Sequence, residues 1–148
     1  IHQLAQLFHS ALFFSKFTTY SPEEVDTSNI LIIDNIGMLS ALYGYGKISY
    51  IGGGFGVGIH NTLEAATYGN PVVFGPKYYK FQEPKDLIEI GAGFSIDGRS
   101  SLFEILEILS NSDKRSLAGA SARRYVEEKS GATPIIMKYL ASQNLLQK

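Results

Sequence analysis

The sequence contains no cysteine and no tryptophan among its 148 residues. Without cysteine the chain can form neither a disulfide framework nor a thiolate metal site, and it fits a reducing compartment. No apolar run approaches the about 20 residues that a membrane-spanning helix needs, and no signal peptide opens the chain. Its 13 basic and 14 acidic side chains give a formal net charge of −1, so no overall basic field favours nucleic acid as a partner.

The remaining composition is that of an ordinary globular protein, with 45% hydrophobic and 18% charged residues. The length suits one domain, so we expect a single domain over residues 1–148. The first residue is Ile rather than Met, and Leu4, Leu7 and Phe8 have helical spacing. We therefore expect a piece of a longer protein, truncated at its N-terminus within or near a helix.

Short apolar runs alternate with helical patterns along the chain. The run "NILIID" is typical of a strand buried on both faces. Strands are predicted over 11–17, 29–34, 47–53, 71–75 and 92–97, and helices over 36–46, 61–69, 81–91, 100–112, 114–131 and 133–146, with a helical turn at Pro22. This alternation predicts an α/β fold with a Rossmann-like parallel sheet and helices on both faces.

A glycine-rich segment, "GGGFGVG" at residues 52–58, leaves a predicted strand and leads into a predicted helix. Glycines let the backbone approach a ligand, and N–H groups at a helix start favour a phosphate. The segment therefore predicts an anion site near residues 53–62, with Gly53, Gly54 and His60 supporting the phosphate or the loop. The alternative is a tight strand–helix turn that holds no ligand.

Known phosphate-binding and nucleophile motifs do not fit this segment. The dinucleotide pattern G-x-G-x-x-G has no register on these glycines. The P-loop pattern fails because Ile59 and His60 follow Gly58. There is no G-x-S-x-G nucleophile elbow either.

Glu64 follows in the first turn of the predicted helix. A carboxylate there can accept two hydrogen bonds from adjacent ribose hydroxyls. The alternative is a glutamate that only interacts with the helix N-terminus, which would stabilise the helix by about 0.3 kcal/mol. The glycine segment before it and "GNPVV" after it favour the ribose role.

The segment "GGGFGVGIHNTLEAATYGNPVVFGP" resembles the nucleotide-sugar half of a GT-B glycosyltransferase. More closely, "IIDNIGMLSALYGYGKISYIGGGF", "HNTLEAATYGNPVVFGP" and "FQEPKDLIEIGAG" together resemble the 3-deoxy-D-manno-octulosonic acid (Kdo) transferases of lipid A assembly. That family reads D-T-x-G-E-L, then G-G-S, then H-N-P-L-E, then G-P-x-x-x-N-F. The resemblance covers residues 29–97.

The resemblance implies that the chain is the C-terminal domain of a GT-B fold, which binds CMP-Kdo in lipopolysaccharide biosynthesis. CMP-Kdo is then the donor substrate, with no separate cofactor and no required metal. The full-length enzyme would pass Kdo with inversion to a lipid A precursor, at the cytoplasmic face of the bacterial inner membrane. The catalytic base and the acceptor site belong to a preceding domain, so we expect no catalytic residue in this chain, weak donor binding and no turnover.

By motif match, two segments would contact the CMP part of the donor. They consist of Ile36, Gly37 and Met38, and of Asn61, Thr62, Leu63 and Glu64, with Glu64 as the ribose ligand. Met38 replaces the usual acidic residue, which indicates a contact made by the backbone. Thr62 replaces the usual proline and would cap the helix instead of starting it. Residues 77–80 replace most of a family loop, although Phe81 keeps its aromatic ring.

Other side chains have competing interpretations. His60 would assist departure of CMP, or would only order the loop; with Glu64 it could bind a metal only if further ligands joined, and His2 and His9 are distant in sequence. Asp34 is catalytic or, as we favour, caps the following helix.

Two basic surfaces also have two interpretations each. The loop with Lys77 and Lys80 also contains Tyr78, Tyr79 and Phe81. It either holds a carboxylate or a nucleotide base of a ligand, or is a solvated surface over packed rings. The basic side chains of a later helix are a solvated face or an anionic-membrane contact. They are Lys114, Arg115, Arg123 and Arg124.

Two other function classes remain open. A different GT-B nucleotide-sugar enzyme, such as a UDP-sugar transferase or epimerase, would share the glycine segment and Glu64, but "IIDNIGMLS" and "FGPKYYKF" disfavour it. A non-enzymatic α/β binding module would show no nucleotide affinity.

Overall fold

A computed structural model describes residues 6–8, 10–143 and 145 of the chain. The chain divides into two compact units, Ile1–Leu39 and Ser40–Lys148, and each is described by itself. The single domain expected over residues 1–148 stays a prediction. The helix expected around Leu4, Leu7 and Phe8 lies partly outside the described residues.

The first unit contains a small parallel sheet. Strand β1 (Leu12–Phe13) leads into a 3₁₀ helix (Phe14–Thr19), helix α1 (Pro22–Thr27) and strand β2 (Leu31–Ile32). The two strands pair in parallel, with Leu12 opposite Leu31. Helix α1 begins with a capping box, in which Glu24 N donates to Ser21 Oγ over 3.2 Å and Ser21 N donates to the Glu24 carboxylate over 2.7 Å.

Two strand predictions fail in this unit. The strand expected over residues 11–17 is two residues long, because the chain turns into the 3₁₀ helix at Phe14. The run 29–34 is not buried on both faces, since Leu31 is 46% exposed. Among the described residues of this unit β2 pairs only with β1. The strand is therefore less buried than its apolar composition predicted.

The second unit contains a three-stranded parallel sheet in the order β3-β4-β5. The parallel pairing that the sequence predicted is confirmed, with Val73 of the central strand opposite Tyr50 and Phe94. In chain order the elements, from the unit boundary onward, are α2 (Leu39–Leu42), a 3₁₀ helix (Tyr43–Tyr45), β3 (Ser49–Ile51), α3 (Leu63–Thr67), β4 (Val72–Phe74), α4 (Glu83–Glu89), β5 (Gly93–Ser95), α5 (Arg99–Ser110), α6 (Ser112–Lys129) and α7 (Ala132–Ser142).

The core of this unit lies on both faces of β4. Successive side chains of a strand point to opposite faces. Val72 and Phe74 pack in one cluster with residues of α3, α4 and α6, including Ala66 and Leu87. Val73 packs in another cluster, with Leu109 of α5. Helices therefore cover both faces of the sheet, as an all-apolar parallel strand requires.

None of the described helices combines the length and the apolarity that crossing a membrane requires.

Candidate functional site

The glycine segment forms a tight loop directly after β3. Gly56 N donates to the Gly53 carbonyl over 2.8 Å, and His60 N donates to the Gly52 carbonyl over 3.1 Å. Gly53 has a φ of +95°, and a Cβ there would collide with the Gly58 carbonyl oxygen. Glycine at position 53 is therefore required by the backbone of the loop itself.

The same loop packs against the residues that follow β4. A Cβ on Gly54 would lie 2.6 Å from Gly75 Cα, and Lys77 N donates to the Gly54 carbonyl over 3.0 Å. Loop packing thus accounts for Gly53 and Gly54 without a ligand. Their role toward a phosphate stays a prediction.

Asn61 connects the start of α3 to Glu64. Its Oδ1 accepts a hydrogen bond from Leu63 N over 2.9 Å, and its Nδ2 donates to Glu64 Oε1 over 3.0 Å. The first contact occupies a donor of the first helical turn. The second fixes the Glu64 carboxylate, whose other oxygen accepts no hydrogen bond within the described residues. An oxygen in that state can accept from a ligand hydroxyl.

The prediction that Thr62 caps α3 is wrong. Its side chain makes no capping hydrogen bond, because its backbone is already helical, with φ −88° and ψ −24°. Asn61 makes the capping contact one position earlier. Thr62 is instead buried beside the core.

A cavity of about 240 Å³ opens beside this segment. Residues 59–63 form one wall, so that it includes His60, Asn61, Thr62 and Leu63. The opposite wall comes from the start of α4 and the residue two before it: Phe81, Glu83 and Pro84. Glu64 does not line the cavity. Sequence reasoning missed Glu83, although it lies within "FQEPKDLIEIG", one of the segments that carry the resemblance.

A second, larger concavity of about 440 Å³ shares Leu63 and Glu83 with the first. Its far wall contains Asp86 of α4 and Tyr125 and Lys129 of α6. Since α6 lies far along the chain from the glycine segment, no local motif could have predicted this wall.

Tyr125 and Asp86 form a hydrogen bond within that wall. Tyr125 Oη donates to Asp86 Oδ2 over 2.7 Å. This hydrogen bond, with a further one from Gln82, holds the pKa of Asp86 below its ordinary value. Burial, and then the Asp86 carboxylate, raise the pKa of Tyr125 well above its ordinary value. The Lys129 amine lies 5.9 Å from the centre of the Tyr125 ring.

Tyr43 lies within electrostatic reach of Glu64. Burial, and then the Glu64 charge, raise the pKa of Tyr43, and its ring packs against the core cluster that includes Ala65 and Ala66. Sequence reasoning placed Tyr43 only in a helix. Its proximity to Glu64 follows from the packing of the chain before β3.

The other predicted donor segment belongs to the first unit. Gly37 has a φ of +99°, Met38 Sδ accepts from Asn35 Nδ2 over 3.0 Å, and Ile36 is fully exposed. Since Asn61 and its neighbours belong to the second unit, the common site of the two segments stays a prediction.

Asp34 stabilises a helix, but not the one expected. Its carboxylate accepts hydrogen bonds from Ser15 N over 2.9 Å and from Ser15 Oγ over 2.6 Å. These bonds hold the pKa of Asp34 below its ordinary value. Asp34 therefore stabilises the 3₁₀ helix that precedes it, and the prediction that it caps the following helix is wrong.

The rings of the lysine-containing loop lie in layers. Tyr78 meets Phe74 edge to face, with centroids 5.3 Å apart, and Tyr79 stacks on Tyr78 at 4.5 Å. Burial raises the pKa of Tyr78. Tyr79 is exposed. This loop therefore has one ring packed against the core and a second, exposed ring stacked on the first.

Within the described part of the chain, no three or more of His, Asp and Glu side chains are grouped closely enough to hold a metal ion. His2 and His9 lie outside the described residues. The absence of a required metal stays a prediction.

The fold has a counterpart among solved structures. The crystal structure of the C-terminal CMP-Kdo binding domain of WaaA from Acinetobacter baumannii matches with a TM-score of 0.64 and 24% identity, over 77% of this chain and 59% of that one. The chain thus has the α/β, Rossmann-like fold of a GT-B C-terminal domain. No protein-family model matches the chain.

Sequence comparison finds relatives that share one enzyme name. The chain is 38% identical over 85 residues to 3-deoxy-D-manno-octulosonic acid transferase from Aquifex aeolicus, covering 55% of this chain and 24% of that protein. It is 29% identical over 132 residues to the enzyme of the same name from Bordetella pertussis, covering 87% and 31%. The resemblance to the Kdo transferases is confirmed. The chain spans about a quarter to a third of the length of these two curated relatives.

Proposed function

We propose that this chain is the donor-binding domain of a Kdo transferase and that it binds CMP-Kdo. The observation that carries the proposal is the Asn61–Glu64 hydrogen bond of 3.0 Å at the start of α3. It lies within the segment on which the resemblance to the transferases rests. The full-length protein would transfer Kdo to a lipid A precursor with inversion of configuration.

In this proposal Glu64 accepts hydrogen bonds from the two adjacent ribose hydroxyls of CMP. Asn61 restricts the orientation of the carboxylate before the nucleotide binds. A ligand contact made by a preoriented side chain loses less conformational entropy.

His60 is proposed to act on the phosphate of CMP. Its backbone N–H is used inside the glycine loop, while its exposed imidazole borders the cavity. An imidazole at this position can donate a hydrogen bond to the phosphate as CMP leaves. Gly53 and Gly54 shape the loop beside it.

Three further parts of the proposal concern the full-length protein and its reaction. The catalytic base and the contact with the lipid A precursor are assigned to a preceding domain. The reaction is assigned to the cytoplasmic face of the bacterial inner membrane. The donor serves without a separate cofactor or a required metal.

A titration of the chain with CMP, with UMP and AMP as controls, tests the donor assignment by NMR or calorimetry. We expect CMP to bind with a dissociation constant of about 1 mM or tighter. Glu64→Ala should abolish the response, and Glu107→Ala, an exposed glutamate of α5, should keep it.

The outcomes separate the candidate functions. A preference for UMP would favour a UDP-sugar enzyme of the same fold. An equal weak response to all three nucleotides would keep the fold and remove the donor assignment. With no response from the chain, the same titration on the full-length protein decides, and no response there would favour a non-enzymatic module.

A further inference from the structure

Helix α6 contacts both of the helices that contribute walls to the cavity of about 240 Å³. Leu63 at the start of α3 belongs to one wall, and Glu83 at the start of α4 belongs to the other. We propose that Tyr125 of α6 is a positioning residue, which sets the spacing of the two walls through Asp86. The expected effect on CMP binding rests on the proposed function.

The contact between α6 and α3 is close along the backbone. A Cβ at Gly119 of α6 would collide with the carbonyl oxygen of Gly69, in the turn after α3. Ala122, further along α6, is fully buried in one core cluster with Ala65 and Ala66 of α3. Because small residues let the two helices pack at short range, α6 has a fixed position relative to the wall that α3 supplies.

The contact between α6 and α4 is made by a long side chain. The Tyr125 ring belongs to the core cluster that also contains Leu87 of α4. Its hydroxyl donates to Asp86 Oδ2 over 2.7 Å. A hydrogen bond to a carboxylate is stronger than one between neutral groups. The Tyr125 hydroxyl therefore ties this side of α4 to a helix whose position is already fixed.

Asp86 extends this contact to the cavity wall. Its other carboxylate oxygen, Oδ1, accepts from Gln82 Nε2, and its backbone N–H donates to the Gln82 carbonyl over 3.0 Å. The Gln82 side chain makes no capping hydrogen bond to α4. Gln82 lies between Phe81 and Glu83, which both line the cavity. One carboxylate thus connects the Tyr125 hydroxyl to that wall.

Core packing is the competing account of how α4 is held. Pro84 and Leu87 are fully buried, and they attach α4 to the core without any polar contact. Gln82 is exposed, so its order depends on Asp86 instead. If core packing sufficed, removing the Tyr125 hydroxyl would leave the cavity unchanged. The two accounts therefore predict different results for one substitution.

Titration of the chain with CMP tests the proposal. Tyr125→Phe keeps the ring and removes only the hydroxyl. We expect it to weaken CMP binding by about three- to tenfold, because a less ordered wall must be fixed when the ligand binds. Asn111→Ala, which removes the cap of the same helix, should leave the CMP affinity unchanged. Unchanged affinity in Tyr125→Phe, or equal weakening in both variants, overturns the proposal.

Two variants of the carboxylate separate positioning from a general loss of stability. Asp86→Asn keeps an acceptor for Tyr125 and a polar partner for Gln82, so it should bind CMP nearly as the unaltered chain does. Asp86→Ala removes both contacts and should weaken binding at least as much as Tyr125→Phe. The double variant Tyr125→Phe/Asp86→Ala should bind no more weakly than Asp86→Ala, since both changes break one contact. Additive losses would contradict the proposal.

A measurement without ligand keeps this inference separate from the donor assignment. In amide NMR spectra, Tyr125→Phe should shift the backbone signals of Phe81 and Glu83, and Asn111→Ala should not. A chain that shows these shifts but binds no CMP, even at full length, would retain the positioning role and lose the proposed function. A chain that binds CMP equally well with and without the Tyr125 hydroxyl would lose the positioning role and keep the proposed function.

Discussion

At the scale of single residues, Asn61 has two tasks that sequence patterns treat separately. Its side-chain oxygen caps α3 and its amide nitrogen orients Glu64. Both contacts come from one planar amide, so the orientation of the carboxylate depends on the formation of the helix. A cap in this position therefore belongs to the candidate site as well as to the fold.

Replacing this amide should affect stability and ligand binding together. We expect Asn61→Ala to lower the free energy of unfolding by about 1 kcal/mol, the usual cost of a lost cap, and to weaken CMP binding in titration. Asn111 caps α6 by accepting from Asp113 N and Lys114 N, each over 3.0 Å. Asn111→Ala should cost a similar stability and leave CMP binding intact; equal effects of both variants on CMP binding would contradict the role of Asn61.

The Tyr125–Asp86 contact predicts a pH dependence of stability. Because the pKa of Asp86 is lowered in the folded state, its contribution is present above the ordinary carboxyl pKa and is lost as the pH falls through the folded value. Because the pKa of Tyr125 is raised, its contribution is present below the ordinary phenol pKa and is lost as the pH rises through the folded value. The contact thus stabilises most between these limits.

Thermal unfolding of Tyr125→Phe against the unaltered chain checks this. The difference in Tm should be largest near neutral pH and should shrink in acid. Phenylalanine keeps the ring in the core and removes only the hydroxyl. A difference that stays constant into strong acid would show that Asp86 does not contribute through this hydrogen bond.

At the scale of elements, the length of a helix or strand depends on what it packs against. Strand β4 is buried on both faces between two core clusters, and its apolar run predicted it correctly. The helix expected over residues 36–46 is reduced to Leu39–Leu42 and a 3₁₀ turn. Glycines at 44 and 46 interrupt that segment, and glycine disfavours a continued helix.

Helix α5 offers a test of the second core cluster. Leu109 is fully buried beside Val73, so Leu109→Ala should lower the free energy of unfolding by about 2–5 kcal/mol in denaturant titration. Leu106, on the same helix, is partly exposed, and Leu106→Ala should cost clearly less. Equal losses would mean that α5 does not pack on the sheet as described.

At the scale of the whole molecule, the Met38 segment of the first unit is predicted to contact the donor and can be tested by itself. Gly37 has a φ of +99°, a conformation that side chains with a Cβ rarely adopt. If the Met38 segment contacts the nucleotide through its backbone, Gly37→Val should weaken CMP binding, while Met38→Ala should change it little. NMR titration of both variants decides, and weakening by Met38→Ala alone would show a side-chain contact instead.

The sequence by itself determined the parallel α/β order, the glycine loop and the segment with Asn61 and Glu64, because alternating apolar runs and local motifs require only neighbouring residues. The family resemblance followed from the same local motifs. Only the tertiary structure decided that Asn61 rather than Thr62 caps α3, that Asp34 serves the preceding 3₁₀ helix, and that Tyr125 from a distant helix holds Asp86. The first depends on the helical backbone of Thr62, and the other two join residues that are distant in sequence through packing, which no local spacing encodes.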